Sequence, residues 1–499
     1  MQLLNKVVLN LKLIKLVHAL ALFAALYCTL LPAHAQTASP ARPEIVFAIG
    51  NMPLNLDPRY ATDAASERVN RLLYQSLVDF DAQSKPTPSL ASWVEISPNE
   101  YRFTLKQSRA PFHHNKPLSA HDVKATYDSF LGLSDSPHAA EFTNVQSIIV
   151  LDADTLIFKL KQADQHFPAK LLIGILPVDL IAKKHDFSHN PIGSGAIKFI
   201  SWGNKLTLQR LKDAQKISLL EVKDPTVRVL KLLHGEVDLL QGELPPELVK
   251  HLQSKPEVTI KTSTGANFSY LGLNFNDPIL KNLKVRQAIA HAINRPAMIE
   301  KVMIQHSRIA DQILPPEHYT NQSFSNLIPN DYDYAYNPAK AKQLLLEAGV
   351  KLPLKLVYKT STDAQRVRFA TIMQAQMAPA GIDLEIRSLD WGTFFADVKA
   401  GSFQVYGLTW VGIKTPEIYA KAFGSQNFPP NGFNRGKYAD AALDALLANE
   451  DWPAATQYIH AQLPYIPLWY EGQFAAYRTT IAHYMPAPDG NWDGWAALN

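Results

Sequence analysis

Apolar positions along this chain switch repeatedly between strand-like alternation and helix-like spacing. Residues 44–49 read as a first strand, and Pro53 to Pro58 form a loop after it. Helical spacing predicts a helix over 67–77, with Val69, Leu72, Leu73 and Ser76 on one face. Tyr101 to Leu105 alternates as a half-buried strand does. Ser119 can cap a helix whose first turn holds Asp122 near the positive dipole end, and Val123, Tyr127 and Phe130 continue it. Residues 155–160 are another strand.

In the second half, Gly193-Ser194-Gly195 interrupts the pattern before a strand over 197–200. A helix over 227–233 ends at Gly235, a short strand follows over 237–240, and Pro245-Pro246 opens the next helix. Asn337-Pro338 starts a helix carrying Ala341, Leu344 and Leu345, which Gly349 terminates. Strands over 354–358 and 384–386 flank a helix over 365–377. The most regular stretch runs from Tyr270 to Pro296: an apolar strand, a turn, then a helix. Val285, Ala288, Ile289, Ala292 and Ile293 make its buried face, and Asn294 and Pro296 mark its exit. Strands and helices alternate through both halves, which argues for an α/β protein with mixed sheets.

With 499 residues the chain exceeds one ordinary core, so roughly two or three domains are expected. Its N-terminus reads differently from the rest. Lys6, Lys12 and Lys15 precede a mostly apolar run over 16–31, too short to span a bilayer comfortably, and Ala33-His34-Ala35 offers a cleavage site. The expectation is a secretory signal peptide over 1–35; an uncleaved anchor is the alternative. The single cysteine, Cys28, follows Leu26 and Tyr27 rather than the small residues a lipoprotein signal needs. The mature chain is then cysteine-free, which excludes disulfides and thiol chemistry. Removing the three signal lysines leaves 46 basic against 45 acidic residues. With no Lys/Arg cluster, nucleic acid is not expected as a partner.

Enzyme signatures are missing too: no G-x-S-x-G, no phosphate loop, no G-x-G-x-x-G after a strand. The adjacent His113 and His114 would face opposite ways on a strand, so they make a poor metal pair. Neither cofactor nor metal nor catalytic residue is expected.

Several motifs, in order, carry a family resemblance. Tyr270 to Arg295 closely resembles the "YLGFN…VRQAIAYAIDR" segment of bacterial extracellular solute-binding proteins of the dipeptide/oligopeptide/nickel type, family 5. Phe112 to Val123 is similar to "FHDGKPLTAEDV", Asn190 to Gly195 to "NPVGTG", Gly235 to Asp238 to "GEVD", Tyr336 to Leu345 to "YDPEKAKQLL", and Tyr465 to Leu468 to "YIPL". The resemblance implies a two-lobed periplasmic-binding-protein fold of the large peptide-binding class, with an inserted subdomain. Lobe 1 would combine 36–76, 190–264 and 476–499, the subdomain 77–189, and lobe 2 residues 265–475. It further implies a periplasmic, monomeric component of an ABC importer. Such a protein captures a peptide-like or other small polar solute by hinge closure and passes it to the permease subunits. A sensor, chaperone or metal-complex carrier on the same fold is the alternative, and an enzyme on this scaffold a distant third.

The same resemblance points to ligand contacts. Trp410 matches the family's "W-x-x-D-Y" tryptophan, but the aspartate that pairs with a ligand's amine falls on Ile413. Gly412 would let backbone approach the ligand. Lys414 and Glu417 are expected at the solvent-exposed surface, Lys414 favouring an acidic group and Glu417 able to replace the aspartate only if the loop is rebuilt. Asn51 follows the first strand, Asn267 and Tyr270 flank the crossing strand, and one of Trp469 and Tyr470 is expected to point inward.

Overall fold

The computed structural model describes residues 44–497 except 132, 134, 135, 243, 304, 305, 322–333, 430 and 431. The expected signal segment, with Cys28, lies outside the described residues.

Among the described residues eleven strands join in one mixed sheet. Its main order is Ile382–Leu389, Leu354–Ser361, Val405–Trp410, Val258–Leu273, Tyr465–Arg478, Leu239–Gln241, Glu44–Ile49, Lys216–Glu221, Lys205–Arg210 and Ile197–Trp202, with Arg308–Ile309 added beside Tyr465–Arg478. Glu44–Ile49 pairs in parallel with both its neighbours, and Leu354–Ser361 does the same. The two central strands are antiparallel and unusually long, at 16 and 14 residues. A separate sheet orders Ala91–Ser97, Glu100–Leu105, Thr155–Leu160 and Val145–Val150, all antiparallel. The α/β, mixed-sheet expectation agrees with this arrangement.

Buried apolar residues gather into separate cores. The largest lies within Phe268 to Tyr470. A second joins Phe47, the helix Ala64–Leu73 and Trp492 and Trp495, whose rings both pack 5.0 Å from that of Phe47. A third is drawn wholly from Leu77 to Ile175. A smaller fourth covers the other sheet face, from Ala48 and Val222 to Val258, Phe474 and Ala476.

Helix starts follow the sequence closely. Asp63, Asp224, Asn337, Asp363, Asp390 and Asp440 each accept a hydrogen bond from a backbone N–H in the first turn. Caps of this kind stabilise a helix by about 1 kcal/mol each. Three local expectations need correction. The helix expected over 67–77 is Ala64–Leu73, because Asp63 supplies the cap and Ser76 lies beyond its end. Ser119 stands at the helix start, where its carbonyl accepts from Val123 N–H, but its hydroxyl and N–H both donate to Asp122, whose other oxygen takes the N–H of Val178. Asn294 and Pro296 open the helix Arg295–Val302, and the preceding helix has already ended at His291.

The register of the two long strands breaks between Ser263 and Asn267. On one side Val258 to Ser263 pairs with Arg478 to Gln473, beside the smaller cores; on the other Asn267 to Gly272 pairs with Glu471 to Tyr465, inside the largest core. Gly265 sits in the break, where an added Cβ would lie 1.6 Å from the carbonyl oxygen of Glu471. Gly195 has a similar role: its Cβ would fall 2.2 Å from the Leu72 carbonyl oxygen, so the Gly193-Ser194-Gly195 motif is explained by close backbone approach.

Gly265→Ala should therefore cost about 1–3 kcal/mol or more through forced separation of the two strands. Urea unfolding checks this; a variant as stable as the parent would mean the strands separate there without cost.

Candidate ligand cleft

The strand Val405–Trp410 leads into a loop that ends at the helix Glu417–Phe423. Pairing with Val258–Leu273 sets Trp410 opposite Phe268 and lays its ring 6.2 Å from that of Tyr270, nearly parallel. The Arg435 guanidinium covers another part of the indole, 5.0 Å from its centroid. The indole Nε1 is buried and meets no acceptor among the described residues.

After Trp410 the loop is rigidly tied. Gly412 adopts φ +68°, a left-handed conformation, and its N–H donates to Asn267 Oδ1 at 3.2 Å. A Cβ there would meet nothing, so backbone conformation and not close approach explains the glycine. Ile413 packs against the largest core. Lys414 pairs with Asp489 at 2.9 Å, and its carbonyl accepts from His318 Nε2 at 2.9 Å. Burial holds the His318 imidazole below its ordinary value, consistent with a neutral ring. Glu417 is half-buried, and its Oε2 has no hydrogen-bond donor among the described residues.

The chain's C-terminal loop faces this one. Asp489 holds Lys414, the Asp489 carbonyl accepts from Asn267 Nδ2, and Ala266 N–H donates to the Pro488 carbonyl. One residue on, the Gly490 carbonyl accepts from Gln241 Nε2, and Trp492 carries Arg68 over its ring at 5.6 Å. Gln241, Arg68 and Trp492 line a cavity of about 430 Å³ together with Asn51 and Trp391. The Trp391 indole is 58% exposed and stacks on Phe395 at 5.3 Å. A smaller cavity, about 190 Å³, lies between the helix Ala64–Leu73 and Gly174, and neither cavity is lined by a residue of the Trp410–Glu417 loop.

Several contacts join the part built around the largest core to the rest. His166 Nε2 meets Glu450 Oε2 at 2.9 Å, Gln165 bonds the same oxygen, and Tyr319 N–H donates to the Gln83 carbonyl at 2.8 Å. Beneath the loop, Glu471 accepts from Ser269, Thr409 and Arg366. Burial alone would push its carboxyl up, but Arg366 and these donors outweigh burial and hold it below the ordinary carboxylate range.

These positions sort the sequence-predicted residues. Asn51 is exposed and lines the larger cavity. Trp410, Gly412, Ile413, Lys414 and Glu417 share one loop, but Lys414 and Glu417 are half-buried and not at the open surface, because the C-terminal loop covers Lys414. Asn267 is buried and spends its side chain bracing two loops. Tyr270 is a core residue, 1% exposed between Tyr465 and Trp410. Trp469 and Tyr470 are both buried: Trp469 packs on Phe369, and the Tyr470 hydroxyl donates to the carbonyls of Gln312 and Leu314. Their strand is central and covered on both faces, so alternation places each in a packed interior. Trp391, Trp492, Arg68, Gln241 and Arg435 were missed. Trp391, directly after the capping Asp390 on an exposed turn, was the one with a readable signal.

Comparison with known sequences matches the fold to a family. The sequence model for bacterial extracellular solute-binding proteins, family 5, covers residues 85–428, and the chain belongs to that family. It is a solute-binding protein of the kind that serves ABC importers. The glutathione-binding protein GsiB of Escherichia coli O1:K1 is 26% identical over 491 residues, spanning 90% of this chain and 93% of GsiB. NikZ from Campylobacter jejuni, solved with Ni(L-His), shares the fold at TM-score 0.76 and 21% identity, over 91% of this chain and 98% of NikZ. DppA from Helicobacter pylori, solved with the peptide STSA, does so at TM-score 0.75 and 24% identity, over 91% and 97%.

The Lys414–Asp489 pair generates a pH prediction. Burial alone would raise the Asp489 carboxyl, yet Lys414 outweighs it and holds the group below its ordinary value of about 3.9. A depressed carboxyl contributes stability that is present above the unfolded value and lost as pH falls through the folded one. Asp489→Asn should therefore lower stability at neutral pH by about 1–3 kcal/mol. It should also flatten the decline expected below about pH 4. Chemical denaturation across pH 2–7 reads both.

Proposed function

We propose that this protein is an exported, monomeric receptor that captures a peptide-like solute by its amino group and hands it unaltered to an ABC permease. The residues divide into lobe 1 (36–76, 190–264 and 476–499), an inserted subdomain (77–189) and lobe 2 (265–475). Two of the apolar cores support that division, since the largest lies wholly within 265–475 and the third wholly within 77–189, while the other two are drawn mainly from lobe 1 but take in Leu176, Phe187, Phe474 and Ala475 from its neighbours. The register break at Ser263 to Asn267 falls where the strands pass from one lobe to the next, and we read it as the hinge. The segment over 1–35 supports export through a cleaved, unlipidated signal, and the even charge balance supports a partner other than nucleic acid. Capture and release need no reacting group, so the protein is read as a carrier and not an enzyme.

One observation carries the ligand assignment. Glu417 Oε2 is buried, four residues beyond Ile413, with no donor among the described residues. A buried carboxylate oxygen without a donor is costly, and a bound ammonium satisfies it. Trp410 Nε1 adds a buried donor in the same loop, suited to a peptide carbonyl. The cavity of about 430 Å³ beside Asn51, Trp391 and Trp492 has room for side chains of a short peptide. Peptide and glutathione ligands named for relatives fall in this class, since each carries a free amine.

Native mass spectrometry of protein purified from its own cells should show a co-purifying small solute with a free amine. In vitro, Glu417→Gln should weaken retention of an equimolar di- and tripeptide mixture by roughly 10- to 100-fold, as expected for loss of a charged hydrogen bond. Acetylating the peptides should have a similar effect on the parent protein. Equal retention of free and acetylated peptides would overturn the assignment.

A further inference from the structure

We propose that the cavity of about 190 Å³ beside the helix Ala64–Leu73 is a second ligand site, which takes a small neutral molecule by a primary carboxamide. The proposal does not depend on what the larger cavity or the Trp410–Glu417 loop binds.

The walls of this cavity come from the later part of that helix and the residues just after it, from Leu172 to Gly174, and from Gly195 and Ala196. The same helix borders the larger cavity by Ala64, Ala65 and Arg68, and borders this one by Glu67, Asn70 and Arg71. At helical spacing these sets occupy different faces, so the two cavities are distinct places along one helix.

Most polar side chains here already have partners. The Tyr74 hydroxyl donates to the Leu56 carbonyl at 3.1 Å, and the Ser76 hydroxyl donates to the Val78 carbonyl at 2.7 Å. Arg71 pairs with both Asp79 and Asp493, which balances its charge. Glu67 is exposed, so water can serve its carboxylate.

Asn70 is different. It is 6% exposed, and neither its Oδ1 nor its Nδ2 meets a partner among the described residues. Gln75 lines the same cavity, and its buried Oε1 is likewise without a donor. Val69, Leu72 and Leu73 around Asn70 are buried apolar residues, among which an amide with both ends unmet is a costly choice. Buried polar groups are nearly always paired, so this one calls for an occupant.

The unmet atoms define that occupant. Asn70 Oδ1 and Gln75 Oε1 accept hydrogen bonds, and Asn70 Nδ2 donates them. A primary carboxamide supplies two N–H donors and one carbonyl, which matches all three. A carboxylate brings no N–H and an ammonium brings no acceptor, so each leaves part of the set unmet. The cavity is also smaller than the roughly 300 Å³ at which pockets for drug-sized ligands begin, which limits the molecule to a few heavy atoms.

The test uses the mature protein with propanamide, N,N-dimethylpropanamide and propanoate as probes, each titrated at millimolar concentrations by ligand-observed NMR. Propanamide should bind saturably, and the two probes without N–H donors roughly 10-fold more weakly. Asn70→Leu and Gln75→Met should each weaken propanamide by a similar factor. Asn70→Leu should melt no lower than the parent, because it removes a buried amide that the fold leaves unpaired. Crystals grown with propanamide should show it on Asn70. Equal binding of all three probes, or no saturable binding of propanamide, overturns the proposal. So does full propanamide binding by both variants. A clear fall in the melting temperature of Asn70→Leu would mean that its amide is already partnered within the fold, and the site is lost with it. Crystals with ordered water only on Asn70, or with propanamide in the larger cavity instead, also reject it.

Discussion

Everything else in this structure depends on the antiparallel pairing of Val258–Leu273 with Tyr465–Arg478. These strands tie the largest apolar core to the others, and both are long enough to take part in two of them. A backbone ladder resists shear but bends where its register is interrupted, because bulged residues leave the ladder. The interruption at Ser263 to Asn267 lies between the cores. Gly265 fits because any side chain would strike the Glu471 carbonyl, so the same residue that permits close pairing also lies in the register break. A second irregularity, between Ser269 and Tyr270, lies inside the largest core, so the break at Ser263 to Asn267 is the one that suits the proposed hinge.

Satisfied and unsatisfied groups then separate support from site. Lys414, Asp489, Asn267 and Glu471 all have partners across or beneath the loop. Such groups fix geometry and offer little to a visitor. Trp410 Nε1 and Glu417 Oε2 lack a hydrogen-bond partner among the described residues. Buried polar groups are usually paired, so such exceptions carry more information than a cavity's shape.

Local signals made much of the fold legible in the sequence. Asn337 before its helix, Gly235 and Gly349 after theirs, and strict alternation from Tyr101 to Leu105 all act within a few residues, and each element stands close to where they place it. The site was harder to read because its decisive relations are long-range. Lys414 reads as an exposed cation until Asp489, far along the chain, covers it. Trp469 and Tyr470 read as alternating in and out until both faces of their strand prove to be packed. Arg435 stands in an ordinary Asn-Arg-Gly turn; nothing local announces the rings of Phe395 and Trp410 around it.

The proposed shift of the amine-binding carboxylate from position 413 to Glu417 is compatible with the same packing. Ile413 lies against the apolar core, so an aspartate in that orientation would bury a charge against aliphatic neighbours. Four residues later the chain has turned out of that contact and begins the helix Glu417–Phe423, where a carboxylate at the first position is favoured by the helix dipole. The longer glutamate also reaches farther than an aspartate would. The proposed amine partner therefore needs no rebuilt scaffold, provided the loop between is held. The Lys414–Asp489 pair and the Asn267 brace hold it.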